Sequence, residues 1–269
     1  MDLQLADKRA LVTGSNSGLG QATVTYLAAE GAAVVVHGRD EARTTAVAKQ
    51  IHAAGGRADV TIGDLATEDG ADAVAQAALA GGAIDILVNN AGGYGGYDQL
   101  SWHEATADEW ARTYNVNVTS GIRMIHRLVP AMRERGWGRV ITIGGGLSIQ
   151  PMSMQPHYNA SLAARHNLAV SLARELKDTG VTSNIVSPGA ILVDSVQRFL
   201  TDLAPAHGWG NTWEQIESAA ARDFVPNDIG RFGRPEEIAA AVAYLTGPHA
   251  DYISGATIRV DGGHIRSVH

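Results

Sequence analysis

A glycine-punctuated turn, Thr13-Gly14-Ser15-Asn16-Ser17-Gly18-Leu19-Gly20, joins the apolar run Ala10-Leu11-Val12 to a helix-compatible segment from Gln21 to Glu30. Gly14, Gly18 and Gly20 let the backbone turn sharply and bring its N–H groups against a pyrophosphate, at the positive end of the helix that follows. Glycine clusters also serve purely steric turns, so the setting decides. A strand before, a helix after and a second strand from Ala32 complete the βαβ unit that such a loop needs.

The same alternation of short β-branched runs and alanine-rich amphipathic segments continues to the end of the chain. It predicts strands at Ala10–Thr13, Ala32–His37, Ala58–Ile62, Ile84–Asn89, Arg139–Ile143, Thr182–Ser187 and Thr257–Val260. Helices are predicted at Gly20–Glu30, Glu41–Ala54, Glu68–Ala80, Ala107–Arg135, Tyr158–Lys177 and Pro235–Leu245. The expected fold is α/β, a Rossmann-type doubly wound parallel sheet of seven strands with helices on both faces. With 269 residues, 45% of them hydrophobic, one domain spanning 1–269 is expected.

Composition narrows the function. No cysteine is present, which removes disulfides and thiolate–metal sites, and the scattered histidines give no metal-ligand spacing. A net charge of −7 argues against a nucleic-acid surface. No run reaches the roughly 18 apolar residues that span a bilayer, and Met1 to Ala10 does not read as a signal peptide, so a cytoplasmic, soluble protein is expected.

The spacing G-x-x-x-G-x-G behind Thr13, together with Asn89-Asn90-Ala91-Gly92, resembles the classical short-chain dehydrogenase/reductase family. Gly233-Arg234-Pro235-Glu236-Glu237 and the terminal Ser254-Gly255-Ala256-Thr257 with Val260-Asp261-Gly262-Gly263 extend the resemblance over essentially the whole chain. It implies that Gly14, Ser15, Asn16, Ser17, Gly18, Leu19 and Gly20 cradle a dinucleotide, that Asp64 and Leu65 meet adenine, and that Asn90, Ala91 and Gly92 line the groove. Pro188, Gly189 and Ile191 then lie along the nicotinamide end, a segment from about 193 to 233 covers the substrate, and the protein assembles as a homotetramer or homodimer. The tip of the second strand, His37-Gly38-Arg39, offers a guanidinium where a ribose-binding carboxylate would stand, which favours NADP(H) over NAD(H). Arg39 can equally cap an exposed turn before Asp40.

The family's chemistry uses a serine, a tyrosine and a lysine one helical turn after the tyrosine. Tyr158 is present, and Asn117 resembles the family's asparagine that kinks this helix and holds a water in the proton relay, though a helix-bending residue without catalytic duty would look the same. The serine position is Gly145, the lysine position is Leu162, and Val193 replaces a threonine that binds the carboxamide. No lysine occurs between Lys49 and Lys177. Arg165, seven residues after Tyr158, shares its face about 10 Å along the axis but cannot shed its proton. Ser148 and Ser153 are candidate hydroxyl donors, while His157 and His166 project elsewhere and read as packing residues. The reading is an NADP(H)-dependent oxidoreductase acting on a carbonyl or alcohol through Tyr158, with an atypical site. The alternatives are a non-redox dehydratase, cyclase or isomerase using Tyr158, or a catalytically silent nucleotide-binding subunit.

Overall fold

Unbroken apolar runs belong to strands buried on both faces, whereas alternation belongs to edges. In the computed structural model, which describes residues 2–93 and 100–267, the strands are β1 (Arg9–Val12), β2 (Ala33–Gly38), β3 (Arg57–Ile62), β4 (Ile86–Asn89), β5 (Gly138–Ile143), β6 (Val181–Pro188) and β7 (Thr257–Val260). Every position of β1, β4, β5 and β6 is buried, while β7 alternates between exposed and half-buried along its whole length. All pair in parallel in the order β3-β2-β1-β4-β5-β6-β7. This is the doubly wound Rossmann-type sheet, and it reverses its direction of growth between β1 and β4. A crevice opens at such a reversal, beyond the carboxyl ends of the strands.

The helices are α1 (Gly18–Ala29), α2 (Glu41–Ala53), α3 (Glu68–Ala80), α4 (Ala107–Tyr114), α5 (Ser120–Arg135), α6 (Pro156–Glu175), α7 (Asp194–His207), α8 (Trp213–Asp223) and α9 (Pro235–Thr246). Val24, Leu27, Val47, Ile51, Ile238 and Val242 press α1, α2 and α9 onto one face. Val74, Ala78, Met124, Leu128 and Leu172 press α3, α5 and α6 onto the other. Fully burying such a side chain stabilises the fold by about 1.5–3 kcal/mol.

Two expectations are corrected. The single helix over Ala107–Arg135 is broken by a π-helical turn at Asn115–Thr119, centred on Asn117. The segment after Val193 holds two helices, α7 and α8, with their own small core around Leu200, Trp209, Ile216 and Phe232. Its two ends are tied by the bridge between Ile191 and Gly233.

Candidate active site

A cavity of about 840 Å³ runs along the carboxyl ends of the strands, from the tips of β2 and β3 to α7 and the stretch after α8. Its floor at the sheet reversal is the glycine loop. A Cβ on Gly20 would stand 2.3 Å from the Gly14 carbonyl oxygen and 2.5 Å from Asn90 Nδ2, so only glycine lets α1 start this close to the turn. The Thr13 hydroxyl accepts hydrogen bonds from the Asn90 and Ala91 amides at 3.0 and 2.9 Å, and Asn90 Nδ2 donates to the carbonyls of Thr13 and Gly14 at 2.8 and 3.1 Å. These bonds lock the loop to the end of β4. The first turn of α1 carries no acidic residue and its N-cap Ser17 makes no side-chain cap. Its amides are therefore left for an anion, and the residues fit a pyrophosphate.

Gly14, Asn16 to Gly20, Arg39, Asp64, Leu65, Asn90 to Gly92, Pro188, Gly189 and Ile191 all line this one cavity, as do Asn117 and Tyr158. Ser15 stands apart: it is fully buried, its hydroxyl accepts the His37 amide at 2.9 Å, and it stiffens the loop from behind. At the adenosine end, Asp40 is occupied as the N-cap of α2, accepting from the Arg43 amide at 3.0 Å, so its carboxylate does not replace the one missing at Gly38. Arg39 and Arg43 remain there as two largely exposed guanidinium groups, 4.0 Å from Asp64 and 3.9 Å from Asp40 respectively.

The opposite end is built around the π-helical turn, a device that recurs at functional sites. It turns Asn117 inward: Oδ1 accepts from the Gly93 amide at 2.8 Å and Nδ2 donates to Ser161 Oγ at 2.9 Å. Leu162 is buried, and a Cβ on Gly145 would meet its Cδ1 at 3.0 Å. Leu162 thus occupies the space that a side chain at position 145 would enter. Ser148 does not line the cavity; its hydroxyl donates to the Gly145 carbonyl at 2.7 Å and lies 3.0 Å from His166 Nε2. His157 is buried with its ring 6.2 Å from that of Trp110, so both histidines pack rather than face the cavity.

Arg165 does reach the site. Its guanidinium donates from Nε to the Asn117 carbonyl at 2.5 Å, from Nη1 to the Ile143 carbonyl at 2.7 Å and from Nη2 to the Ala91 carbonyl. Burial pushes the Tyr158 phenol above its ordinary pKa, and the Arg165 charge opposes that rise. Tyr158 is therefore a neutral phenol at neutral pH, poised to donate a proton.

Beyond Tyr158, Leu147, Met152, Val196, Phe224 and Val225 give this end of the cavity an apolar wall, with His264 from the C-terminal segment beside it. Phe224 alone of the aromatics in the covering segment lines it; Trp209 is core, donating Nε1 to Asp223 at 3.2 Å. Sequence reasoning missed His37, Arg43 and His264. His37 had a signal in its position at the tip of β2, whereas His264 is brought in by tertiary folding that no local pattern announces.

The short chain dehydrogenase family profile matches residues 8–204. The uncharacterized oxidoreductase YvaG of Bacillus subtilis (strain 168) is 37% identical over 271 residues, covering 100% of both chains. The 3-oxoacyl-(acyl-carrier-protein) reductase FabG of Vibrio harveyi is 33% identical over 261 residues, 97% of this chain and 98% of the relative. L-Sorbose reductase from Gluconobacter frateurii, complexed with NADPH and L-sorbose, superposes with a TM-score of 0.92 at 32% identity, covering 100% of both chains.

Proposed function

The chain belongs to the short-chain dehydrogenase family, and from that premise we propose that it is an NADP(H)-linked oxidoreductase interconverting a carbonyl compound and its alcohol, with Tyr158 as proton donor. The observation that carries this reading is that one cavity holds the uncapped first turn of α1 at its floor and the neutral Tyr158 phenol farther along. The amides of that turn would hold the pyrophosphate, Arg39 and Arg43 the 2′-phosphate, Asp64 and Leu65 the adenine, and Asn90, Ala91, Gly92, Pro188, Gly189 and Ile191 the nicotinamide half.

When bound, the cofactor supplies a hydride from nicotinamide C4 to the substrate carbon. Tyr158 gives its proton to the oxygen that becomes the alcohol. Asn117 keeps the neighbouring backbone in register through Gly93 and Ser161. Gly145 brings no hydroxyl to that oxygen, so the proton from Tyr158 carries more of the stabilisation of developing charge. The apolar wall of Leu147, Met152, Val196 and Phe224 suits a substrate with a hydrocarbon or aromatic body better than a polyol. The segment 193–233 acts as its cover. Assembly as a homodimer or homotetramer and a cytoplasmic location complete the reading; among the described residues no helix is long and apolar enough to cross a membrane.

Calorimetric titration with NADPH and NADH, followed by nicotinamide absorbance with a panel of aliphatic ketones, aromatic ketones and ketoses, tests it. The expected result is tighter binding of NADPH and its oxidation by at least one ketone. Tight NADPH binding without oxidation across the panel overturns it. Gly145 and Leu162, which bring neither a hydroxyl nor an ammonium to the two positions where the family carries them, favour a second reading in that event: a non-redox acid catalyst, or a silent nucleotide-binding subunit.

A further inference from the structure

Long side chains on a helix lean back toward its N-terminus. Arg165, two turns beyond Tyr158 on α6, uses that lean to bring its guanidinium under the ends of β4 and β5. Leu162 leaves no cation on the intervening turn, and Gly92 leaves room: a Cβ there would stand 2.3 Å from Arg165 Nη2. The three acceptors, the carbonyls of Ala91, Asn117 and Ile143, are all neutral, and among the described residues no carboxylate pairs with Arg165 although it is buried. A second, small cavity of about 10 Å³, the size of one water, is lined by Arg165 together with Asn89 and Thr142, whose neutral Oδ1 and Oγ1 find no hydrogen-bond partner among the described residues.

Tying three carbonyls together requires N–H groups but not a charge. A buried cation without a counter-ion is costly, and an anion formed beside it would offset that cost. Tyr158 and Arg165, both on α6, line the same cavity, and the Arg165 charge acts on the phenol; because Tyr158 loses its proton in the reaction proposed above, its phenolate is an anion that this charge can stabilise.

We propose that Arg165 is the positioning cation of this site, acting through Tyr158: its fixed charge stabilises the phenolate left when the proton departs, the electrostatic part of the duty of the lysine that Leu162 replaces. The inference rests on the reading of Tyr158 as proton donor. Because arginine does not shed its proton, it gives charge support without a proton relay. Among the described residues, Arg165 is the charged group that acts on the Tyr158 phenol. His157 faces Trp110, His166 faces Ser148, and His264 lines the wall contributed by the C-terminal segment; the ends of β5 and β6 bring no ionisable side chain to the cavity.

The test is a tyrosinate-absorbance titration of the protein without cofactor or substrate, with Tyr158→Phe subtracted to isolate Tyr158. In Arg165→Gln, which keeps donors for the carbonyls but loses the charge, the midpoint of Tyr158 is expected to rise by about one to three pH units. In Arg165→Lys it stays near that of the unsubstituted protein. Turnover with a reducible ketone falls tenfold or more in kcat for Arg165→Gln with KM little changed, is restored in part by Arg165→Lys, and NADPH binding by calorimetry stays within a few-fold for both. An unmoved midpoint in folded Arg165→Gln, or equal behaviour of the glutamine and lysine variants, overturns the proposal and leaves Arg165 as a structural tie. Arg165→His, neutral where tyrosines titrate, takes the place of the glutamine variant if that one does not fold. Failure of the oxidoreductase reading would show as no turnover in any form, with the apoprotein titration unaffected.

Discussion

Gly145 and Leu162 are coupled through space: Leu162 occupies the room that a side chain at 145 would enter. A side chain at 145 would meet Leu162 Cδ1 at 3.0 Å, closer than well-packed carbons tolerate, and Leu162, itself buried, would have to give way. Gly145→Ser by itself is therefore expected to destabilise the fold by about 1–3 kcal/mol, the range for overpacking. Pairing it with Leu162→Ala removes the obstructing methyls, and the double variant should be more stable than the two single costs added together, a coupling of about 0.5–3 kcal/mol. Urea denaturation of the four proteins checks this; strict additivity would mean that the site relaxes freely. The residue types at 145, 158 and 162 were all readable from the chain, and with them the loss of serine and lysine. What was not readable is that Leu162 occupies the space beside Gly145 and that the Arg165 guanidinium ties the carbonyls of Ala91, Asn117 and Ile143, because that depends on the ends of three separate elements meeting.

At the level of elements, β2 does more than present Arg39. Its His37 is buried, accepts the Gly14 amide on Nδ1 at 2.9 Å and places Nε2 3.2 Å from the Gly63 carbonyl, so one neutral ring clamps the glycine loop and the end of β3 to the tip of β2. Burial lowers its pKa from 6.5 to about 4, a shift that the Gly63 carbonyl and Asp64 partly oppose. The direction fixes the sign. Above pH 6.5 both folded and unfolded chains hold the ring neutral; between 6.5 and about 4 the unfolded chain takes up a proton that the folded one refuses. Stability thus falls as the pH drops through that window, by about 3 kcal/mol at its lower end, and the protonated ring can no longer accept from Gly14. Denaturation at neutral pH and near pH 4.5 should show a smaller pH-dependent loss in His37→Asn than in the unsubstituted protein; equal losses would assign the effect to other groups. Elements were legible to differing degrees for physical reasons. Strands such as Val34–Val36 follow from their unbroken apolar runs. The π-helical turn interrupts a helix whose periodicity continues across it, and only the paired asparagines hinted at the break. Helices α7 and α8 were hidden by Pro205, Gly208 and Gly210: Pro205 sits in the last turn of α7, Gly208 closes it in a left-handed conformation with φ of 65°, and Gly210 falls between the two.

Across the whole molecule, the sheet order puts the glycine loop, the two arginines after β2 and Tyr158 along one edge, about 840 Å³ of cavity between them, although they lie far apart in the chain. That arrangement lets binding and chemistry be separated experimentally. Arg39 and Arg43 sit at the far end of the cavity from Tyr158, exposed, and among the described residues their ion-pair contacts are long ones, to Asp64 and Asp40 at 4.0 and 3.9 Å. Such exposed pairs contribute little to stability, so the side chains are free to swing onto a ligand phosphate. Arg39→Ala should leave thermal stability unchanged and weaken NADPH binding by about tenfold, the loss of one charge-assisted contact, while NADH, which lacks the 2′-phosphate, binds about as before. Adding Arg43→Ala should widen the loss for NADPH alone, and raising the salt concentration should narrow the gap between the two cofactors in the unsubstituted protein but not in the double variant. Calorimetry with both cofactors reads all of these outcomes. If Arg39→Ala weakens NADH as strongly as NADPH, the guanidinium acts on the adenosine or on the loop rather than on a phosphate, and the cofactor preference must be sought elsewhere in the groove.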